Sequence, residues 1–360
     1  RIMYKGKVVV GMSGGVDSSV AAYLLKEQGY DVIGITMQIW QEENWQDISD
    51  NGGCCGLSAV DDARRVANSI GIPHYVLNFR RDFENSVIKY FVNEYKNGRT
   101  PNPCIACNRY VKWEALLLRA KQIGADYIAT GHYARIAEYP KTGRLSICSS
   151  VTAAKDQTYA LYNLTQEQLS STLMPIGDYT KEQVREIARK IDLNISSKPD
   201  SQDICFVPDG DYAGFIKKYD GTDFKPGNFI DMNGNVLGKH KGIINYTVGQ
   251  RKGLGLALGR HVYVHHIDSN KNEVVLCDNE ELFYKEVYAG SVNFMSVEKI
   301  DEPLRAEAKI RYSHKKAPCT VTVENGLLKC VFDEPQRAIT PGQSLVVYDG
   351  DFVLCGGIII

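Results

Sequence analysis

The run Gly11-Met12-Ser13-Gly14-Gly15-Val16-Asp17-Ser18 constrains the fold more than any other part of the chain, because of where it stands. It follows the apolar Val8-Val9-Val10 directly and precedes an amphipathic stretch. A buried strand ends there, Gly14 and Gly15 let the backbone turn sharply, and the pattern predicts a helix from Asp17 or Ser18. Such a corner gathers backbone N–H groups, hydroxyls and the positive end of a helix at one spot, a setting that suits a phosphate chain. No Gly-Lys-Ser/Thr follows, so this is not a Walker loop, and the glycine spacing is not that of a dinucleotide fingerprint. A plain glycine turn before a capped helix is the bland alternative.

The first part of the chain alternates strand and helix. Strands are expected at 8–11, 32–40, 75–79 and 127–130, and helices at 18–27, 59–69, 83–95 and 111–122. Units of this kind imply a parallel sheet covered on both faces, with ligands at the carboxyl ends of its strands. The loops after Val10, Met37 and Thr130 are therefore expected to face a common site. Residues 145–149 read as half of a hairpin, and helical patterns return at 181–190 and 211–219.

Character changes near Gly221, where the chain turns glycine-rich, β-branched and tyrosine-rich. Arg305 to Tyr312 alternates strictly, with Arg305, Glu307, Lys309 and Arg311 on one side and Ala306, Ala308, Ile310 and Tyr312 on the other. That pattern is a half-buried strand. The expected organisation is an α/β class: a parallel-sheet nucleotide-binding domain over 1–220, a small central domain over 221–277, and an all-β, barrel-like C-terminal domain over 278–360. At 360 residues the chain is long enough for two or three domains of ~100–200 residues.

Charge is unevenly placed. The formal net charge is −1, yet Lys239, Lys241, Arg251, Lys252 and Arg260 lie between Val236 and His266 with no acidic residue among them. Arg311, His314, Lys315 and Lys316 form a second cationic cluster. Cations gathered this way suit a phosphate backbone, with a solvated basic face as the alternative. No apolar run approaches the ~20 residues of a membrane span. Ten cysteines without a secretory signal point to a reducing compartment, so the chain is expected to be cytoplasmic.

Cys104 and Cys107 form a Cys-x-x-Cys pair just before an expected helix, and Cys205 lies far downstream. Structural zinc would want a second paired cluster, which Cys205 lacks. Inert core thiols are the default for Cys148, Cys277, Cys319, Cys330 and Cys355. A thiol at a helix N-terminus favours its thiolate, and that reading suits Cys107 and Cys205 best. Cys54-Cys55 has no clear role.

The corner Gly11–Ser18 resembles the PP-loop of the ATP pyrophosphatases, which adenylate a substrate oxygen. Further motifs follow in order. These are Asn102-Pro103-x-x-x-Cys107-Asn108, Ala129-Thr130-Gly131-His132-Tyr133, Lys155-Asp156-Gln157, Asp203-Ile204-Cys205-Phe206, Gly249-Gln250-Arg251-Lys252-Gly253-Leu254-Gly255 and Arg311-Tyr312. Together they resemble the bacterial tRNA-specific 2-thiouridylases across almost the whole chain.

The resemblance implies ATP-dependent replacement of the C2 oxygen of the wobble uridine by sulfur. It implies that Gly11, Met12, Ser13, Gly14, Gly15, Val16, Asp17, Ser18, Met37 and Gly131 hold ATP, with Asp17 helping to place Mg2+. Cys205 would carry the sulfur as a persulfide and Cys107 would act as nucleophile, by direct attack of the persulfide or through released sulfide. Either route ends in a Cys107–Cys205 disulfide that a reductant reopens. Asn102, Pro103 and Cys104 would lie beside the target base, with Lys155, Asp156, Gln157, Arg311 and Tyr312 against the tRNA. The implied partners are tRNA acceptors for Lys, Glu and Gln and a cysteine desulfurase or sulfur-relay protein. Many relatives carry Asp where Cys104 stands, which leaves the general base open. It also raises an alternative in which Cys104, Cys107 and Cys205 ligate an iron–sulfur cluster. Two rival functions use the same corner: an amidotransferase or ligase, which would leave both loop thiols without a role, and a non-catalytic RNA-binding module.

Overall fold

The computed structural model describes residues 5–39, 57–191 and 204–360. Cys54, Cys55 and the segment Asp200–Asp203 lie outside them. The chain divides into two compact units, Arg1–Val87 with Cys104–Pro208 and Asp351–Val353, and Ile88–Pro103 with Asp209–Gly350 and Leu354–Ile360.

The first unit is built on β1 (Lys7–Gly11), α1 (Val16–Glu27), β2 (Asp31–Gln38), α2 (Leu57–Ile70), β3 (His74–Asn78), β4 (Tyr127–Ala129), β5 (Ala134–Glu138), β6 (Leu145–Ser149) and β7 (Thr172–Leu173). The sheet order is β3-β2-β1-β4-β7, every pair parallel. Val8, Val9 and Val10 are fully buried, as a central strand covered on both faces requires. α1, α2 and the helix Lys181–Lys190 pack together through Val16, Val20, Ala63, Val66, Val184 and Ala188. Strand order reverses between β1 and β4, so the crevice at their carboxyl ends is the topological switch point where such sheets bind ligands. β5 and β6 form the expected hairpin.

Several helices exceed their expected bounds. Residues 80–96 are helical throughout, with a π-helical stretch at Glu84–Ile88. The helix expected from Val111 starts at Pro103 instead. It runs as Pro103–Ala106, then π-helical Cys107–Leu116, then Leu117–Gln122. Proline fits a first helical position, where its missing N–H goes unused.

The second unit holds two β modules. Gly227–Ile230, Val236–His240, Tyr263–Asp268 and Glu273–Cys277 form a four-stranded sheet over a core of Phe229, Tyr246, Leu254, Val264, Val274 and Leu276. Beyond it, six strands from Phe283–Phe294 to Phe352–Ile359 form an antiparallel barrel, closed where Ala289 pairs with Ile359 and Phe294 with Cys355. The turn at Asn325-Gly326 joins two of them. The alternating strand is shorter than expected: it spans Leu304–Lys309, and Tyr312 is 46% exposed rather than on the apolar face. Lys309 Nζ covers its ring at 5.6 Å. The segment 88–103 belongs to this unit too. Thr100 N donates to Pro341 O at 2.9 Å, Gln343 Nε2 to Thr100 O at 2.7 Å, and Lys96 Nζ to Asp220 Oδ1 at 2.9 Å.

Candidate active site

At the end of β1 the chain turns at Gly14, whose φ of +73° favours glycine and where a Cβ would lie 2.3 Å from Ala59 O. α1 then starts at Val16, one residue before the earliest expected start, with extended Gly15 as N-cap and no side-chain cap. Its first N–H groups have no intrahelical acceptor, which is the condition for receiving an anion. Ser13 and Ser18 meet beside them, with Oγ atoms 3.3 Å apart and Ser13 N donating to Ser18 Oγ at 3.2 Å. Met12 is anchored by Met12 N to Ile35 O and by Thr36 Oγ1 to Met12 O, each 2.8 Å.

The strand ends converge as expected. A Cβ on Gly131 would lie 2.5 Å from Ser18 N, so the backbone after β4 is pressed against the first turn of α1. A Cβ on Gly11 would lie 4.0 Å from Met37 Cε and 3.9 Å from Ala129 O. Gly131 thus lies against the first turn of α1, and Met37 against Gly11 at the end of β1. Next to Gly131, His132 is buried against Trp113, with ring centroids 5.6 Å apart, and shares a 2.7 Å hydrogen bond with Thr130 Oγ1. Burial first, and then the charge of Lys112, hold His132 well below its usual range and keep it neutral.

Asp17 is held by two side chains of the same unit. Lys181 Nζ donates to its two oxygens at 2.8 and 2.9 Å, and Tyr133 OH donates to Oδ1 at 2.8 Å. The carboxylate is thus paired with a cation of the protein. Sequence reading gave Lys181 and Tyr133 no site role, although Tyr133 closes the motif Ala129–Tyr133. Lys155 to Gln157 is tied to the same region: Tyr133 N donates to Gln157 Oε1 at 2.8 Å, and Gln157 N to Tyr133 O at 3.0 Å. Asp156 accepts from Thr158 Oγ1 at 2.7 Å, and its buried Oδ1 has no partner among the described residues.

The thiols lie in the same unit. Cys104 is exposed and Cys107 half-buried. Because the helix begins at Pro103, Cys104 occupies its first turn, and Cys107 sits one turn in, beyond the strongest part of the helix dipole. The helix N-terminus therefore lies nearer Cys104 than Cys107. Neighbouring Asn108 is buried, donating to Ala160 O at 3.0 Å and accepting from Lys112 Nζ at 2.8 Å. Cys205 is exposed on a turn closed by Val207 N to Ile204 O at 2.9 Å. Buried Phe206 anchors that turn edge-on against Phe83 at 5.7 Å. Among the described residues no group of three or more His, Cys, Asp or Glu side chains is placed to hold a metal ion.

Among the described residues the other thiols, Cys148, Cys277, Cys319, Cys330 and Cys355, are buried. Burial pushes Cys355 up to about 12 and Cys277 up to about 11, and a hydrogen bond with Cys319 followed by burial raises Cys330. In the second unit Asn102 is half-buried and Pro103 buried. Arg311 Nη2 donates to Ala338 O at 2.6 Å and to Thr340 Oγ1, so part of that guanidinium serves the fold. Lys239, Lys241, Arg251 and Lys252 are exposed.

Family models extend over nearly all of this architecture. One described as the tRNA methyl transferase HUP domain matches residues 6–209, a tRNA methyl transferase PRC-barrel domain matches 213–278, and an aminomethyltransferase beta-barrel domain matches 284–359. The tRNA-specific 2-thiouridylase MnmA of Lachnoclostridium phytofermentans is 64% identical over 355 residues, covering 98% of this chain and 99% of that one. The chain belongs to the tRNA-specific 2-thiouridylase family. The family's member from Clostridioides difficile is 60% identical over 354 residues, covering 98% of each chain. Likeness of this extent carries through both units, so the thiouridylase assignment covers the α/β sheet, the central module and the barrel together.

Proposed function

We propose that the chain catalyses ATP-dependent 2-thiolation of the wobble uridine of tRNA. The observation that carries this reading is the corner after β1, where an uncapped helix N-terminus, two serine hydroxyls and the Gly131 backbone meet in a chain with full-length likeness to thiouridylases. In this reading 1–220 binds ATP and does the chemistry, while 221–277 and 278–360 hold tRNA. The C2 oxygen of uridine attacks the α-phosphorus of ATP, the α–β phosphoanhydride bond breaks, and pyrophosphate leaves. The N–H and hydroxyl donors of Gly11–Ser18 stabilise the charge that shifts during this transfer.

Sulfur arrives as a persulfide on Cys205, charged by a cysteine desulfurase or relay protein. In one route its outer sulfur attacks C2, AMP leaves, and the Cys107 thiolate attacks the Cys205 sulfur to free 2-thiouridine. In the other, Cys107 attacks first and the expelled sulfide attacks C2. Both form a Cys107–Cys205 disulfide, and a thiol reductant restores the two thiols. Asn102–Cys104, Lys155–Gln157 and Arg311-Tyr312 contact base and tRNA. The base is read from a single-stranded loop, where it can be splayed out.

Two of the matching family models carry the words methyl transferase, and methyl transfer is the second reading. It requires neither adenylation nor a thiol pair. Exchange of radiolabelled pyrophosphate into ATP separates the two. The expected result is exchange that depends on unmodified tRNA and persists in Cys107→Ser and Cys205→Ser, while both variants lose thiolation. Absence of tRNA-dependent exchange, or a methylated nucleoside in the product, would overturn the reading.

A further inference from the structure

The helix Lys181–Lys190 opens on a capping box in which Thr180 accepts from Gln183 N and the Gln183 side chain accepts from Thr180 N. Its first turn is therefore fixed. The first residue, Lys181, sends a side chain only 9% exposed onto Asp17, the second residue of α1. Its Nζ is 2.8 and 2.9 Å from the two carboxylate oxygens and 5.5 Å from the centroid of the Tyr133 ring. Tyr133 completes the grip through its hydroxyl and is itself locked by the paired hydrogen bonds with Gln157.

Asp17 stands between Val16 and Ser18, at the helix end that presents N–H donors to the crevice. A carboxylate there favours the helix dipole but repels a triphosphate. Burying an ammonium is costly unless it is paired, so a lysine held this far from solvent is explained by the charge it faces. We infer that Lys181 and Tyr133 are positioning residues of the ATP site. They act through Asp17, neutralising and orienting its carboxylate so that the corner offers donors without net negative charge to the phosphates. This rests on the reading that ATP binds at Gly11–Ser18.

The test is calorimetric binding of α,β-methylene-ATP with Mg2+ to the full chain, in wild type, Lys181→Met, Lys181→Arg, Tyr133→Phe, Asp17→Asn and the double variant Asp17→Asn/Lys181→Met. Lys181→Met is expected to weaken binding by about tenfold or more, Lys181→Arg by no more than about threefold, and Tyr133→Phe by an intermediate factor. The double variant is expected to bind more tightly than Lys181→Met, within about threefold of Asp17→Asn alone, because the charge that Lys181 offsets is gone. A lysine that merely packs, or one that itself grips a phosphate, gives no such recovery. A folded Lys181→Met that binds like wild type, or a double variant as weak as Lys181→Met, would overturn the inference. Should Lys181→Met fail to fold, Lys181→Arg, Tyr133→Phe and the double variant carry the same comparison. Failure of the wild type to bind the analogue would instead remove the ATP reading beneath it.

Discussion

A Cβ built on Gly131 would lie 2.5 Å from Ser18 N and 2.6 Å from Asp17 C, both backbone atoms of α1. Alanine there must displace the first turn of the helix. Gly131→Ala is expected to lower nucleotide affinity at least tenfold while costing about 1–3 kcal/mol of stability, checked by calorimetry and denaturant unfolding. His132 gives a prediction in pH. Buried and neutral in the fold, it regains its ordinary value of 6.5 in the unfolded chain, which therefore binds more protons just below that pH. Its contribution is whole above pH 6.5 and is lost as pH falls beneath it, by up to ~1.4 kcal/mol per pH unit. His74, His240, His265 and His314 are lowered in the same sense, chiefly by burial. Melting temperature should fall from pH 7.5 to 5.5, and His132→Gln should flatten the fall; a level profile in the wild type would contradict this. The approach of the loops after Val10, Met37 and Thr130 was legible in sequence because strand ends on a parallel sheet must converge. The grip on Asp17 was not, since Lys181 lies 164 residues away and Tyr133 116. No periodicity carries that information.

Among the elements, the strand–helix alternation was readable because β1 is a bare run of valines and each helix keeps an apolar stripe. The helix from Pro103 was not, because a Cys-x-x-Cys pair beside prolines looks like a loop. Proline at the first helical position was the signal available. Nor does sequence announce the π-helical Cys107–Leu116. Arg305–Tyr312 misled for a different reason: its alternation outlasts the ladder, which ends at Lys309. Two capping boxes allow an element-scale test. Thr180→Ala should cost about 1 kcal/mol in unfolding experiments and also weaken ATP-analogue binding, because Lys181 rides on that first turn. Thr165→Ala, at the cap of Gln166–Ser170, should cost a similar amount and leave nucleotide binding unchanged. Equal effects of the two on binding would disconnect the cap from the site.

For the whole molecule, composition changes near Gly221, and the four-stranded sheet and the antiparallel barrel strands follow it. What it hid is that residues 88–103 join the second unit from within the first unit's sequence. Alternation along a chain cannot show an excursion of that kind. The exposed cations at 239–252 make binding to tRNA salt-dependent in the proposed function. Replacing Lys239, Lys241 and Lys252 together by Ala should reduce the slope of log affinity against log salt by about 2 while leaving nucleotide binding intact. Among the described residues no helix is long and apolar enough to cross a membrane. The central claim is that ATP makes the C2 oxygen of a tRNA uridine replaceable by sulfur. It is tested most directly by mass spectrometry of nucleosides from an unmodified transcript incubated with the chain, ATP, cysteine and a desulfurase. The account predicts 2-thiouridine at the wobble position with one AMP released per sulfur inserted, and none when ATP is left out. Unchanged uridine with every component present, or sulfur inserted without ATP, would contradict it.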